Sequence, residues 1–408
     1  MKQIRVAIIG TGAISNRHMK VWPHIPGAKV VCAAEIDAAK LKAWGERYGF
    51  EEKDLYTDFR EMLKRDDIDA VDVCVHNNLH APVCIAVMKA GYPCYGEKPM
   101  SATYYDSKLM YDCAKKLGVK FAVQISSLFT EQTRMAKEII GRGSLGQLYH
   151  ARSAFSNYRR RVTIDTMPFA SPSFMDREMA GHGPSIDQGI YRLGQMLFLL
   201  GLPELDSVYG TSAQMLPNPT SKKMEVEDTN IALAKFKSGI TLEMVINAAS
   251  NMEDVGPSFI SGIQGALQLI NVDSIGNDWS MGTPPWGQLA PNFQHGLKFF
   301  GEFGGNHIEA DLKPYFNQTL KRTYDPDMSI WYDNQAHWYA YLTGQLTDET
   351  RYDTPLIGMQ TSLLTDGIFM SSELGRSVTA DEIKAWSKSD AMWRQETPWG
   401  VFDYEDTF

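Results

Sequence analysis

Val6-Ala7-Ile8-Ile9-Gly10-Thr11-Gly12-Ala13-Ile14-Ser15 decides how this chain folds. Four consecutive apolar residues suit a strand buried on both faces, and they run straight into a glycine-rich turn and a helical pattern. In that setting Gly10 permits the tight turn, and Gly12 lets the backbone approach a pyrophosphate held at the N-terminus of the helix opened by Ala13 and Ile14. Thr11 sits between the glycines. Ser15 occupies the place of a third glycine, so the run taken alone also fits an ordinary strand-to-helix turn.

The next 110 residues repeat the same alternation. Val6 to Gly10, Val30 to Ala34, Val71 to Val75, Tyr92 to Gly96 and Phe121 to Gln124 read as strands. Ala38 to Tyr48, His80 to Ala90 and Tyr104 to Leu117 carry apolar residues at helical spacing, with Gly27, Gly49, Gly91 and Gly118 at element ends. Strand, helix, strand in succession predicts a doubly wound parallel sheet of Rossmann type, an α/β domain over residues 1–125. From Leu128 the pattern changes. A helix over about Thr130 to Gly141 precedes longer strand-like stretches at Leu148 to Tyr158, Asn230 to Phe236 and Thr241 to Asn247, which predict an α+β domain on an open, mostly antiparallel sheet over 126–385. Gly282 to Gly287 and Gly301 to Gly305 read as loops, and the aromatic, acidic stretch 386–408 reads as an arm.

Bulk properties narrow the partners. The 408 residues are 44% hydrophobic and 22% charged, ordinary for a globular protein. A net charge of −9 gives no footprint for nucleic acid or an anionic membrane, so small molecules or further copies of the chain are the expected partners. Cys32, Cys74, Cys84, Cys94 and Cys113 lie mostly in apolar runs with no CxxC, which fits reduced core thiols in a cytoplasmic protein. No signal peptide is expected, and no stretch approaches the ~20 apolar residues of a membrane span. His295, His307 and His337 lack ligand spacing, so no metal is expected.

Side chains at the carboxyl ends of the predicted strands line the rim where open α/β sheets bind ligands. Glu35 ends the second strand about 20 residues beyond the glycines, where a carboxylate binds the ribose hydroxyls of NAD and repels the extra phosphate of NADP. Asp37 either shares that task or caps the helix starting at Ala38. Asn77 and His80 close the third strand; Asn77 is placed to bond a cofactor, and His80 either does so or packs in the first helical turn. Glu97 and Lys98 end the fourth strand, where a lysine amine can meet a nicotinamide ring and a substrate hydroxyl together.

Gly10-Thr11-Gly12, Asn77-Asn78-Leu79-His80, Glu97-Lys98-Pro99, Asp187-Gln188-Gly189-Ile190-Tyr191 and Glu227-Asp228-Thr229 occur in order and at the spacing of one group of enzymes. In these motifs the chain resembles the glucose-fructose oxidoreductase, inositol dehydrogenase and rhizopine catabolism (Gfo/Idh/MocA) family, over most of its length. The resemblance implies a nicotinamide cofactor held between the two domains, with Lys98 assisting proton transfer. It also implies that Asp187 and Tyr191, four residues apart and stacked on one helical face, serve the substrate. Many members have histidine where this chain has Tyr191, and tyrosine can still relay a proton. His182 interrupts a segment that is often all glycine, and so either enters the substrate pocket or reshapes a loop. The arginine often found near Gln124 to Leu128 is absent, and Arg159-Arg160-Arg161 reads as a solvated loop. Seven of nine tryptophans, Trp279, Trp286, Trp331, Trp338, Trp386, Trp393 and Trp399, lie in the second half, where stacking on sugar rings and core packing are both open.

The implied activity is NAD-dependent hydride transfer between nicotinamide and a secondary hydroxyl or ketone of a sugar, cyclitol or glycoside. The same family includes redox-neutral glycoside-cleaving enzymes that keep NAD bound, and the fold includes non-catalytic sugar sensors. Both stand as alternatives. By the same analogy the chain is expected to form a dimer or tetramer.

Overall fold

Five apolar runs and one two-residue strand build a six-stranded sheet in the computed structural model, which describes residues 3–158, 174, 176–215, 225–250, 255–269, 297–312, 330, 333–397 and 400–404. In chain order the elements are β1 (Ile4–Ile9), α1 (Ala13–Val21), β2 (Ala28–Ala34), α2 (Ala38–Tyr48), β3 (Leu55–Tyr56), α3 (Phe59–Met62), β4 (Ala70–Val73), α4 (His80–Lys89), β5 (Cys94–Gly96), α5 (Tyr104–Leu117) and β6 (Phe121–Val123). The sheet order is β3-β2-β1-β4-β5-β6, and every pairing is parallel. Strand order therefore reverses between β1 and β4, the switch point where such sheets bind ligands.

Local chemistry fixes the element ends. The Asp37 carboxylate accepts from Ala39 N and Lys40 N at the start of α2, and the Thr103 hydroxyl accepts from Asp106 N at the start of α5. Gly49 and Gly118 end those helices in the left-handed region, at φ +73° and +65°. Val6, Ala7, Ile8, Val71, Val73 and Cys94 are fully buried, as expected for a parallel sheet covered on both faces.

The chain forms two compact units, and the first is not contiguous. Met1–Gln124 is joined by Asp333–Met359 and Ser389–Phe408. A helix at Asn334–Leu342 brings Trp338 against Tyr95, rings stacked at 5.1 Å, while the Thr354 hydroxyl accepts from Val123 N at 2.9 Å. The terminal hairpin, Arg394–Thr397 with Gly400–Asp403, also belongs here: Met392 N donates to Asn78 O, and the Tyr404 ring lies parallel to Phe59. These later segments fill the first unit's own core, which a linear division at residue 125 does not express.

The second unit, Ile125–Tyr332 with Gln360–Lys388, contains α6 (Glu131–Gly141), β7 (Leu148–Tyr158), α7 (Arg177–Ala180), α8 (Pro184–Asp187), α9 (Gly189–Leu199), β8 (Leu205–Ala213), β9 (Thr229–Phe236), β10 (Thr241–Ser250), β11 (Ser258–Gly262), β12 (Gly265–Leu269), β13 (Leu297–Phe303), β14 (Asn306–Leu312) and β15 (Val378–Thr379). They form a nine-stranded sheet, β14-β13-β12-β11-β7-β10-β9-β8-β15, antiparallel except between β7 and β10. Strand alternation sets its faces: Ala232, Ala234 and Phe236 of β9 are buried, while the alternating Ile231 and Leu233 are exposed. Arg159 to Arg161, Gly282 to Gly287, Trp279, Trp286, Trp331, Trp399 and His295 lie outside the described residues.

Candidate active site

The glycine turn is built against the switch point. Gly10 has φ +91°, and a Cβ there would lie 2.5 Å from Cys74 O at the end of β4. Only glycine suits both the dihedral and the space. Gly12 is the reverse case: its φ is −69° and a Cβ would meet nothing within 4 Å, leaving open room over the α1 N-terminus. The turn thus leaves space above the helix that Ala13 and Ile14 open, of the kind a pyrophosphate can enter. Ser15 is fully buried; its hydroxyl donates to Gly12 O at 2.8 Å and accepts from Trp44 Nε1 at 3.1 Å, so it locks α1 to α2 where a third glycine would only allow close packing.

The Glu35 carboxylate ends β2 and faces the turn. It accepts from Thr11 N at 2.9 Å, from the Thr11 hydroxyl at 3.3 Å and from Asp37 N at 3.2 Å. A carboxylate therefore stands beside the glycine turn, and Asp37 caps α2. Asn77, in the turn after β4, is buried. His80 is buried too, and both its ring nitrogens face protein carbonyls, Pro99 O at 2.6 Å and Val75 O at 3.2 Å. Burial drives its pKa down, so the neutral ring donates once, through the shorter Nδ1 contact. These contacts pack the ring at the start of α4.

Glu97 and Lys98 follow β5. Glu97 is buried and uses both oxygens: Oε2 accepts from Lys98 N at 2.9 Å, and Oε1 lies 2.8 Å from His18 Nε2. The other ring nitrogen of His18, Nδ1, is 2.8 Å from Asp72 Oδ2, which also accepts from Trp22 Nε1 at 2.7 Å. Both nitrogens of His18 can donate only when the ring is cationic. Burial, the largest single effect, opposes that charge, but the charges and hydrogen bonds of Asp72 and Cys74 together hold the His18 pKa well above the ordinary value. The Glu97 pKa is lowered against its burial by the His18 hydrogen bond and charge. His18, Asp72 and Cys74 offer donor atoms within 4.8 Å of one another. Their closest contacts are hydrogen bonds among themselves and to Glu97 and Trp22, and burial pushes the Cys74 thiol up to about 12, so the cluster reads as an ion-pair network.

In the second unit Asp187 is buried and Tyr191 half-buried. They do not share one uninterrupted helix. α8 ends at Asp187, α9 begins at Gly189, and Tyr191 N bonds back to Gln188 O at 3.2 Å. Ile246 of the sheet presses at the break, its Cδ1 3.1 Å from where a Gly189 Cβ would stand. The loop before α8 hangs on Glu227, which accepts from Gly183 N at 2.8 Å and the Ser185 hydroxyl at 2.5 Å. Burial raises the Glu227 pKa, countered by those bonds. His182 stacks on Phe369 at 3.9 Å and accepts from Arg177 at 3.2 Å, with its pKa driven well below the ordinary value by burial and then by the Arg177 charge. It is packed within its own unit. Trp338 is likewise fully buried core, His337 accepts from Tyr352 N, and His307 is exposed. All five cysteines are free thiols.

Residues 4–125 match the family model described as oxidoreductase family, NAD-binding Rossmann fold, and residues 133–268 match the GFO/IDH/MocA C-terminal domain. The chain belongs to this family. It is an NAD-binding oxidoreductase. Among curated relatives it is similar to D-glucoside 3-dehydrogenase of Escherichia coli, 27% identical over 261 residues, 62% of this chain and 72% of that one. It is also similar to levoglucosan dehydrogenase of Pseudarthrobacter phenanthrenivorans, 31% identical over 227 residues, 53% of this chain but 56% of the relative. Myo-inositol 2-dehydrogenase of Thermotoga maritima is 25% identical over 58% of this chain and 66% of its own length. A solved levoglucosan dehydrogenase with NADH and L-sorbose superposes with TM-score 0.71 at 19% identity, over 93% of this chain and 99% of that one, which shows a shared fold. No helix among the described residues is long and apolar enough to cross a membrane.

Proposed function

We propose that this Gfo/Idh/MocA oxidoreductase is an NAD-dependent dehydrogenase of a secondary hydroxyl on a sugar, cyclitol or glycoside, with residues 1–125 binding NAD and 126–385 handling substrate. The observation that carries this reading is the Lys98 backbone, pinned through Glu97 at the carboxyl end of β5 in the same sheet whose switch point holds the glycine cradle. The relatives named for D-glucoside, levoglucosan and inositol supply the substrate class. Glu35 at the cradle favours NAD over NADP.

Bound NAD supplies the hydride acceptor for the carbinol carbon. The chain's own task is the hydroxyl proton. Lys98 takes it, with Tyr191 as relay and Asp187 orienting the substrate, as the carbon–oxygen single bond becomes a carbonyl. An ordinary lysine pKa of about 10.4 leaves the amine mostly charged at neutral pH, so the step needs the base form stabilised by its surroundings. The exposed outer face of the second sheet, with Tyr209, Ile231 and Leu233 at 58%, 48% and 50% exposure, suits pairing with another copy of the chain. Its free, mostly buried thiols suit a reducing cytoplasm.

The test is a screen of purified protein with NAD against methyl β-D-glucoside, levoglucosan and myo-inositol, following NADH and ketone together. Lys98→Ala is expected to abolish turnover while NAD binding stays measurable; unchanged turnover removes Lys98 from the reaction. Aglycone release with no net NADH signal would assign the redox-neutral alternative instead.

A further inference from the structure

We infer that His18 is a positioning residue for Lys98: clamped between Asp72 of β4 and Glu97 after β5, it fixes the carboxylate that receives the Lys98 backbone N–H. The inference rests on the proposed role of Lys98 and adds a residue that touches neither substrate nor cofactor. Its geometry is a chain of four short contacts. Trp22 Nε1 donates to Asp72 at 2.7 Å, His18 Nδ1 meets Asp72 at 2.8 Å, His18 Nε2 meets Glu97 at 2.8 Å, and Glu97 accepts from Lys98 N at 2.9 Å. His18, Asp72 and Glu97 are all buried, so each charge is held by protein partners alone.

The direction of control follows from what Glu97 would do without the ring. A buried carboxylate with no donor beside it takes up a proton or turns toward water, and either change weakens its hold on Lys98 N. The Glu97 N–H is bonded to Val73 O of β4 at 3.1 Å, so its backbone is held to the sheet and displacement of its side chain is felt at the adjacent Lys98 N–H. The cluster is closed on its other sides. Tyr95 lies 5.9 Å from the His18 ring, Cys74 Sγ 3.5 Å from Nδ1, and Gln335 Nε2 bonds His18 O. The His18 charge also reaches Asp333, whose pKa burial pushes up to about 6.

Two substitutions separate positioning from simple support. The side-chain amide of glutamine falls where Nε2 stands and can still donate to Glu97; that of asparagine falls where Nδ1 stands and serves only Asp72. Both lose the charge and one contact, so a purely structural role predicts equal effects. The positioning role predicts that His18→Asn lowers kcat on the order of 100-fold, the scale of an ångström-sized misplacement, while His18→Gln stays within about tenfold. KM and the NAD dissociation constant, read from tryptophan fluorescence, are expected to hold in both, and the ascending limb of kcat against pH to move only in His18→Asn.

The assays use methyl β-D-glucoside, levoglucosan and myo-inositol, with Lys98→Ala alongside. If Lys98→Ala keeps turnover, the role of the lysine fails first; if it abolishes turnover while the two His18 variants behave alike, the positioning inference is overturned. Should the variants not fold, the wild-type holoenzyme decides: nitrogen NMR of labelled histidine is expected to show His18 with both ring nitrogens protonated at pH 8. A neutral ring there overturns the inference.

Discussion

Placing one methyl group at Gly10 and at Gly12 separates folding from cofactor binding within a single turn. At Gly10 the added Cβ stands 2.5 Å from Cys74 O, 2.8 Å from Cys74 C and 3.1 Å from Val75 N, and the residue sits at φ +91°. All three neighbours are backbone, so none can swing aside. The left-handed dihedral costs roughly 1–2 kcal/mol and the overpacking roughly 1–3, so Gly10→Ala is expected to destabilise by roughly 2–5 kcal/mol. At Gly12 the Cβ meets nothing within 4 Å and φ is −69°. The weaker N-cap and the reduced freedom of the unfolded chain are each worth up to about 1 kcal/mol and oppose one another, so stability should barely move. The methyl instead fills the space that a pyrophosphate must enter. Losing one charge-assisted backbone contact, about 1.5–3 kcal/mol, raises the NAD dissociation constant roughly 10- to 100-fold. Urea unfolding and NAD titration by fluorescence, on both variants, test the pair. If Gly12→Ala binds NAD as wild type, or Gly10→Ala unfolds at the wild-type midpoint, this account of the turn is wrong.

Three further outcomes follow from single contacts. Glu35→Arg replaces a carboxylate at the ribose end with a phosphate-pairing guanidinium, and is expected to shift the NADP-to-NAD affinity ratio on the order of 100-fold toward NADP; an unmoved ratio counts against Glu35 as the discriminating residue. Asp333 has a folded pKa pushed up by burial to about 6, so it binds its proton more tightly folded than unfolded, and its drag on stability grows as pH rises from about 4 to 6. Asn keeps the cap on Ala336 N, so Asp333→Asn should gain about 1–2 kcal/mol at pH 8, after allowance for its partial exposure, and nothing at pH 4, as read from urea midpoints. At Gly183 a Cβ would stand 2.2 Å from Glu227 O, so Gly183→Ala is expected to lower the unfolding temperature and disturb the loop before Asp187, at a cost of roughly 1–3 kcal/mol; an unchanged melting curve would contradict the packing described.

The parallel half was legible because its signals are local and repeated: apolar runs, helical spacing and glycines at the ends of the helices. β3 escaped notice because two residues, Leu55 and Tyr56, are too few to show a period. The break between Asp187 and Tyr191 was hidden for a different reason. Spacing of four suits a helix, and nothing in Gln188-Gly189 announces that a side chain of the opposing sheet will press there. The membership of Asp333–Met359 and Ser389–Phe408 in the first unit is a tertiary fact with no local trace. His80 and Asp37 each carried two readings, and the hydrogen bonds they make, to Pro99 O and from Ala39 N and Lys40 N, leave no trace in the sequence. His18 was missed altogether, although one clue stood in the open: Asp72 lies in the apolar run Val71 to Cys74, and a carboxylate inside a fully buried strand requires a partner.

That partner links two parts of the site which the motifs present as separate. Asp72 belongs to β4, which borders β1 at the switch point, and Glu97 follows β5 on the far side of β4. His18 belongs to α1, whose N-terminus is the pyrophosphate cradle. The ion-pair cluster therefore joins the helix that would receive the cofactor to the residue that precedes Lys98, through side chains that are almost inaccessible to solvent. A rigid connection of this kind would give the proposed hydride transfer something that neither motif gives alone: a fixed distance between the helix proposed to receive the cofactor and the backbone of the lysine proposed to handle the proton. Because the cluster is closed to water, its contacts are little screened, and loosening any one of them should be felt at Lys98 before it is felt at Gly12.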